Sequence, residues 1–136
     1  MNTARPLFQK IDCIRLHVSD LEAALTFYRD RLGHELVWRS DRAVGLRMPA
    51  TDAEIVLHTE EPGQEIDLKV ESADAAAARC VEAGGAILVP PFDIQIGRCV
   101  VVADPWGNPL VLLDTSKGLL ITDEEGNIVG NAPNEL

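Results

Sequence analysis

Aromatic residues are scarce in this chain: three Phe, two Trp and one Tyr make up 4% of its 136 residues. A core built from it must rest on Val, Leu, Ile and Ala. Cysteine is equally sparse, with Cys13, Cys80 and Cys99 in no C-x-x-C spacing. That argues against a disulfide framework and for unbridged thiols in a reducing compartment, the cytoplasm. No apolar run approaches the roughly 18 residues of a membrane span. The opening MNTARPLFQK lacks the apolar stretch of a signal peptide. Basic residues are also in short supply, 12 against 22 acidic ones, for a net charge of −10. A field of that sign repels phosphate backbones and excludes nucleic acid as a partner. It serves solubility, and it attracts cationic small molecules where it gathers about a cleft. What is present, 46% hydrophobic and 25% charged residues, is the balance of an ordinary globular domain.

IDCIRLHV (11–18) alternates and is rich in β-branched residues, as a strand should be. In SDLEAALTFYRDRLG, Ser19 and Glu22 form a capping box. Leu21, Leu25, Tyr28 and Leu32 fall at helical spacing, and Gly33 stands where a C-terminal cap belongs. ELVWR (35–39), AVGLRM (43–48) and EIVLH (54–58) read as three strands. From residue 65 the order restarts: EIDLKV (65–70), a helix from about Ser72 to Gly84–Gly85, then AILVP (86–90), GRCVVVA (97–103) and PLVLLD (109–114). A shift of 52 residues superposes Val18 on Val70, Gly33 on Gly85 and Gly45 on Gly97. Each coincident glycine answers a backbone need rather than a composition bias. The chain therefore contains an internal duplication, two βαβββ modules at about 11–58 and 65–114 within one domain, residues 1–114. Residues 115–136 form a C-terminal extension with EEGN as a turn; a short hairpin and a loose tail both fit.

VSDLEAALTFYRDRLG resembles the opening motif, and VVVADPWGNPLVLLD the closing D-P-x-G-N hairpin, of the vicinal-oxygen-chelate superfamily: glyoxalases, bleomycin-resistance proteins and extradiol dioxygenases. The resemblance covers residues 11–114. It implies an α+β fold in which two βαβββ modules form a curved mixed sheet around a cleft, commonly as a homodimer. Because the superfamily spans isomerases, epimerases, thiol transferases, dioxygenases and drug binders, it implies no single reaction. In metal-using relatives, a residue from the first strand and one from the last strand of each module hold a divalent cation. Those positions fall here on Cys13, Val56, Glu65 and Val111. Two valines supply no donor, so the expectation is that no metal is bound. A rebuilt Cys13–His58–Glu65 site is the remaining arrangement for a divalent cation.

Strand alternation decides what else faces the cleft. Cys13 brings Arg15 and His17, Glu65 brings Asp67 and Lys69, and Val56 brings His58. The opposite register, Ile14, Leu16 and Val18 with Ile66, Leu68 and Val70, is apolar and suited to packing beneath the helices. Trp106 of the DPWGN turn, like Trp38, offers a stacking surface. The candidate ligand-binding set is Cys13, Arg15, His17, His58, Glu65, Asp67, Lys69 and Trp106, with no catalytic residue singled out. Such ionisable groups either satisfy one another or form a functional cluster. The expected function is metal-independent binding of a small molecule, with sequestration of a cationic compound. The alternative is a lyase, isomerase or dioxygenase-like enzyme acting on a small carbonyl or carboxylate compound, with His17 or His58 as base and Arg15 or Lys69 as anion anchor.

Overall fold

The computed structural model describes residues 5–132. Two compact units form: the first comprises residues 12–66 and 120–132, the second residues 67–119 with the segment before Asp12.

In the first unit, β1 (Lys10–His17) leads into α1 (Leu21–Leu25). The cap is Asp20 rather than the expected Ser19. Its carboxylate accepts from the amides of Glu22 (2.9 Å) and Ala23 (3.3 Å), and an anion also suits the positive end of a helix. α1 does not continue regularly to Gly33. Over Thr26–Arg31 it widens into a π-helical turn, in which the Leu32 amide donates to Phe27 O at 3.0 Å. The extra residue in that turn rotates later positions away from the buried stripe. Leu25 is fully buried and Tyr28 still packs on the core, but Leu32 is 53% exposed.

β2 (Leu36–Arg39), β3 (Ala43–Arg47) and β4 (Glu54–His58) follow. The sheet order is β2-β3-β4-β1, antiparallel except for β1 against β4, which is parallel. Leu25 of α1 packs with Val44, Leu46 and Leu57 of the sheet face below it, joined by Leu16 and Val18. Each such fully buried side chain contributes roughly 2 kcal/mol.

The second unit repeats the plan. β5 (Gln64–Lys69, its last three residues in this unit) precedes α2 (Ala73–Glu82), β6 (Ala86–Ile94), β7 (Gly97–Ala103) and β8 (Pro109–Leu113). The order is β5-β8-β7-β6, with β5 parallel to β8. Ser72 Oγ caps α2 by accepting from the Ala75 amide. Ala73, Ala76 and Ala77 let α2 settle closely on Val70, Val100, Val102 and Leu112. The fold is α+β, two βαβββ modules each with a mixed sheet, as the sequence implies. The apolar register packs under the helices only in the C-terminal half of each first strand. Leu16, Val18, Leu68 and Val70 join the cores, whereas Ile14 and Ile66 are 39% and 49% exposed.

Of the coincident glycines, Gly45 and Gly97 need space rather than an unusual φ. A β-carbon would overlap the Trp38 indole at Gly45 and the Asp114 carboxylate at Gly97. In the extension, β9 (Leu120–Thr122) and β10 (Ile128–Asn131) form a hairpin. Its turn, Asp123–Asn127, reproduces the DPWGN turn at Asp104–Asn108. In both, one carboxylate oxygen accepts from the amides two and four residues on, and the other from the Asn side chain. The hairpin closes the edge of β2, since the Arg39 amide donates to Gly126 O at 2.7 Å.

Candidate functional site

The sheet face of the first unit turned away from α1 gathers most of the selected residues. Parallel register sets Cys13 beside Glu54, Arg15 beside Val56 and His17 beside His58. Antiparallel β3 adds Ala43 beside His58 and Gly45 beside Val56, and Trp38 lies beside Gly45.

At one end of this face, the His17 and His58 rings meet edge to face with centroids 5.9 Å apart. His58 Nδ1 accepts from the Glu60 amide at 3.2 Å, which leaves the ring proton of the neutral form on Nε2. Burial, followed by the Arg15 charge, pushes the His58 pKa below its ordinary value. Arg15 stands between two carboxylates, 3.5 Å from Glu60 and 3.6 Å from Glu65. Of the expected set, then, Arg15, His17, His58 and Glu65 come together around Glu60, a loop residue outside any alternating pattern.

From His58 towards Cys13 the face is apolar and closed: Ala43, beside His58, forms a buried cluster with Val56 and Cys13, and Trp38 packs against it. Trp38 Nε1 donates to Glu54 Oε1 at 2.7 Å. Burial raises the Glu54 pKa, aided by Asp12 and Asp52, while the Trp38 hydrogen bond and Arg47 oppose it. The sequence carried a signal for Glu54, because it alternates in phase with Val56 and His58 on EIVLH. Next along the chain from His17 and His58, Ser19, Asp20 and Thr59 join Arg39, Ser40, Asp41 and Asn127 around a polar recess of about 540 Å³.

Asp67, Lys69 and Trp106 belong to the second unit. Asp67 is buried beside Val111 on β8. Lys69 Nζ donates to Gln9 Oε1 at 2.8 Å. Trp106 projects from its turn 83% exposed.

The residues do not fit the family's cation. Val56 pairs with Arg15 and Val111 with Asp67, 52 residues further along, so the valines occupy equivalent positions, and neither has a donor atom. The Cys13–His58–Glu65 alternative is not assembled. Cys13 and His58 sit at opposite ends of the paired strands, roughly 13 Å apart by strand rise. Among the described residues no group of three or more His, Cys, Asp or Glu is arranged to hold a metal ion. No helix among them is long and apolar enough to cross a membrane.

A sequence model of the Glyoxalase/Bleomycin resistance protein/Dioxygenase superfamily matches residues 10–112. No curated protein sequence matches the chain. Among solved structures, methylmalonyl-CoA epimerase from Mycobacterium tuberculosis is similar over 83% of this chain and 92% of its own, with 22% identity and a TM-score of 0.67. A hypothetical protein from Bacillus halodurans C-125 covers 77% of this chain and 93% of its own at 18% identity, TM-score 0.65. A variant of homoprotocatechuate 2,3-dioxygenase from B. fuscum is similar over 81% of this chain but only 33% of its own, at 24% identity and TM-score 0.60. These likenesses are of fold.

Proposed function

Because the chain belongs to the glyoxalase/bleomycin resistance protein/dioxygenase superfamily, we propose that it binds a small organic compound on the open sheet face of its first unit, and without a metal ion. The observation that carries this reading is the donor set, with valine at two of the four positions where metal-using relatives keep ligands. Charge gives the ligand class. Two carboxylates, Glu60 and Glu65, flank the single guanidinium of Arg15, and the chain's net charge of −10 adds a field that draws cations. The ligand is an organic cation, sequestered rather than transformed, and the binding form is a cytoplasmic homodimer. Arg15, His17, His58 and Glu65 are the contacts assigned on this face; Cys13 lies buried beneath Trp38.

A thermal-shift screen of cationic glycopeptides, aromatic acids and 2-oxo acids, each with EDTA and with Zn²⁺, Mn²⁺ or Fe²⁺, tests this reading. Cations are expected to stabilise the protein in EDTA; stabilisation that needs the metal would contradict the reading. Glu65→Gln should weaken a cationic ligand by about threefold, and an unchanged Kd would remove Glu65 from the site.

One observation favours a second reading, an enzyme acting on a carbonyl or carboxylate compound. The neutral His58 ring, held through Nδ1, has Nε2–H to offer a substrate oxygen. Turnover of such a compound that His58→Ala abolishes with little change in binding would select that reading.

A further inference from the structure

Trp38, Gly45 and Glu54 make an arrangement that ligand binding at the His17–His58 end does not use. The Trp38 indole lies across Gly45 so closely that a β-carbon there would overlap Nε1, Cε2 and Cδ1 of the ring. The ring's one polar atom, Nε1–H, is matched to Glu54 Oε1 at 2.7 Å. Packed against the indole are Cys13, Ala43 and Val56, 4%, 6% and 2% exposed. These three lie on the sheet face opposite α1, so the helix does not account for their burial. A glycine below, an apolar floor and a carboxylate at the rim are the features of a slot for a flat heteroaromatic bearing an N–H, and the chain fills that slot with its own side chain.

We propose that Trp38 is the specificity-determining residue of this face: its indole occupies a preformed slot for a planar N–H heteroaromatic and confines an external ligand to the His17–His58 end. The ligand half of that statement rests on the binding function proposed above; the slot itself does not.

Free indole is the probe. In the full chain carrying Trp38→Gly, indole at tenfold excess over its Kd should raise Tm by about 5 °C. 1-Methylindole, which lacks the N–H, should give less than half that shift. The unsubstituted protein should respond to neither, since its slot is filled. A folded Trp38→Gly protein that indole does not stabilise, or an equal response from the unsubstituted protein, overturns the proposal. If Trp38→Gly does not fold, Gly45→Ala in a Trp106→Phe background, where Trp38 is the sole tryptophan, gives the reading instead. The added methyl should drive the indole off the face and raise acrylamide quenching of Trp38 at least twofold over Trp106→Phe alone; unchanged quenching overturns the proposal. The ligand screen reports on the unsubstituted face and these variants on the slot, so the two readings fail separately.

Discussion

Four donors converge on the buried Asp114 carboxylate. The Ala73 amide at the start of α2 reaches one oxygen at 2.9 Å. The Arg98 amide (2.9 Å), the Ser116 amide (3.1 Å) and Ser116 Oγ (2.7 Å) share the other. Burial alone would raise its pKa, but the hydrogen bonds outweigh it and hold the group below its ordinary 3.8. A carboxyl with a depressed folded pKa stabilises the fold above its unfolded value, and that contribution is lost as pH falls through the folded one. Urea midpoints should therefore decline below about pH 4, and Asp114→Asn should flatten that part of the profile. Asp114→Ala, by stranding several donors, should cost about 3 kcal/mol at neutral pH. Gly97→Ala, whose new methyl lands on the same carboxylate, should cost about 1–3 kcal/mol. Gly97 stood out in the sequence as a coincident glycine. What it makes room for did not, because its contact lies beyond the next hairpin, where no local pattern points.

Strand parity was legible at the level of elements, since a period of two is written directly into EIVLH and GRCVVVA. Two elements were not. The π-helical turn after α1 has no sequence signature, and an i to i+5 bond replaces the regular ladder without any change of composition. β6 runs on through Pro90 and Pro91, which read as a strand end; an edge strand tolerates them because its outward amides need no partner. Four large apolar residues of that edge, Ile87, Leu88, Val89 and Phe92, are exposed, and the proline pair blunts it against strand addition. β2 is treated differently, with the C-terminal hairpin laid along its edge. Gly126 sits at φ +86 in the hairpin turn with Leu36 Cδ2 at 3.4 Å from a β-carbon placed there. Gly126→Ala should cost about 1–2 kcal/mol and speed hydrogen exchange of the Arg39 amide, which bonds to Gly126 O. Unchanged exchange would mean that the hairpin does not protect β2.

For the molecule as a whole, the duplication and the two family motifs were enough to give the fold. The arrangement of candidate groups needed the pairing register as well. Alternation says that Cys13, Arg15 and His17 share a face, but only the register sets Cys13 against Glu54 and His17 against His58. Glu60, in a loop, falls outside alternation altogether. The net charge acts at this scale too: affinity for an organic cation should fall severalfold between about 0.05 and 0.5 M salt, as screening shortens the reach of the acidic field. A salt-independent Kd would confine recognition to the groups in direct contact.

Small-molecule binding on this face without a metal can be measured by calorimetric titration of the strongest cationic compound from the thermal-shift screen. The titration is run once in excess EDTA and once with added Zn²⁺, Mn²⁺ or Fe²⁺. The same Kd is expected in both; binding that vanishes in EDTA and returns with the metal would mean that the site needs a cation after all.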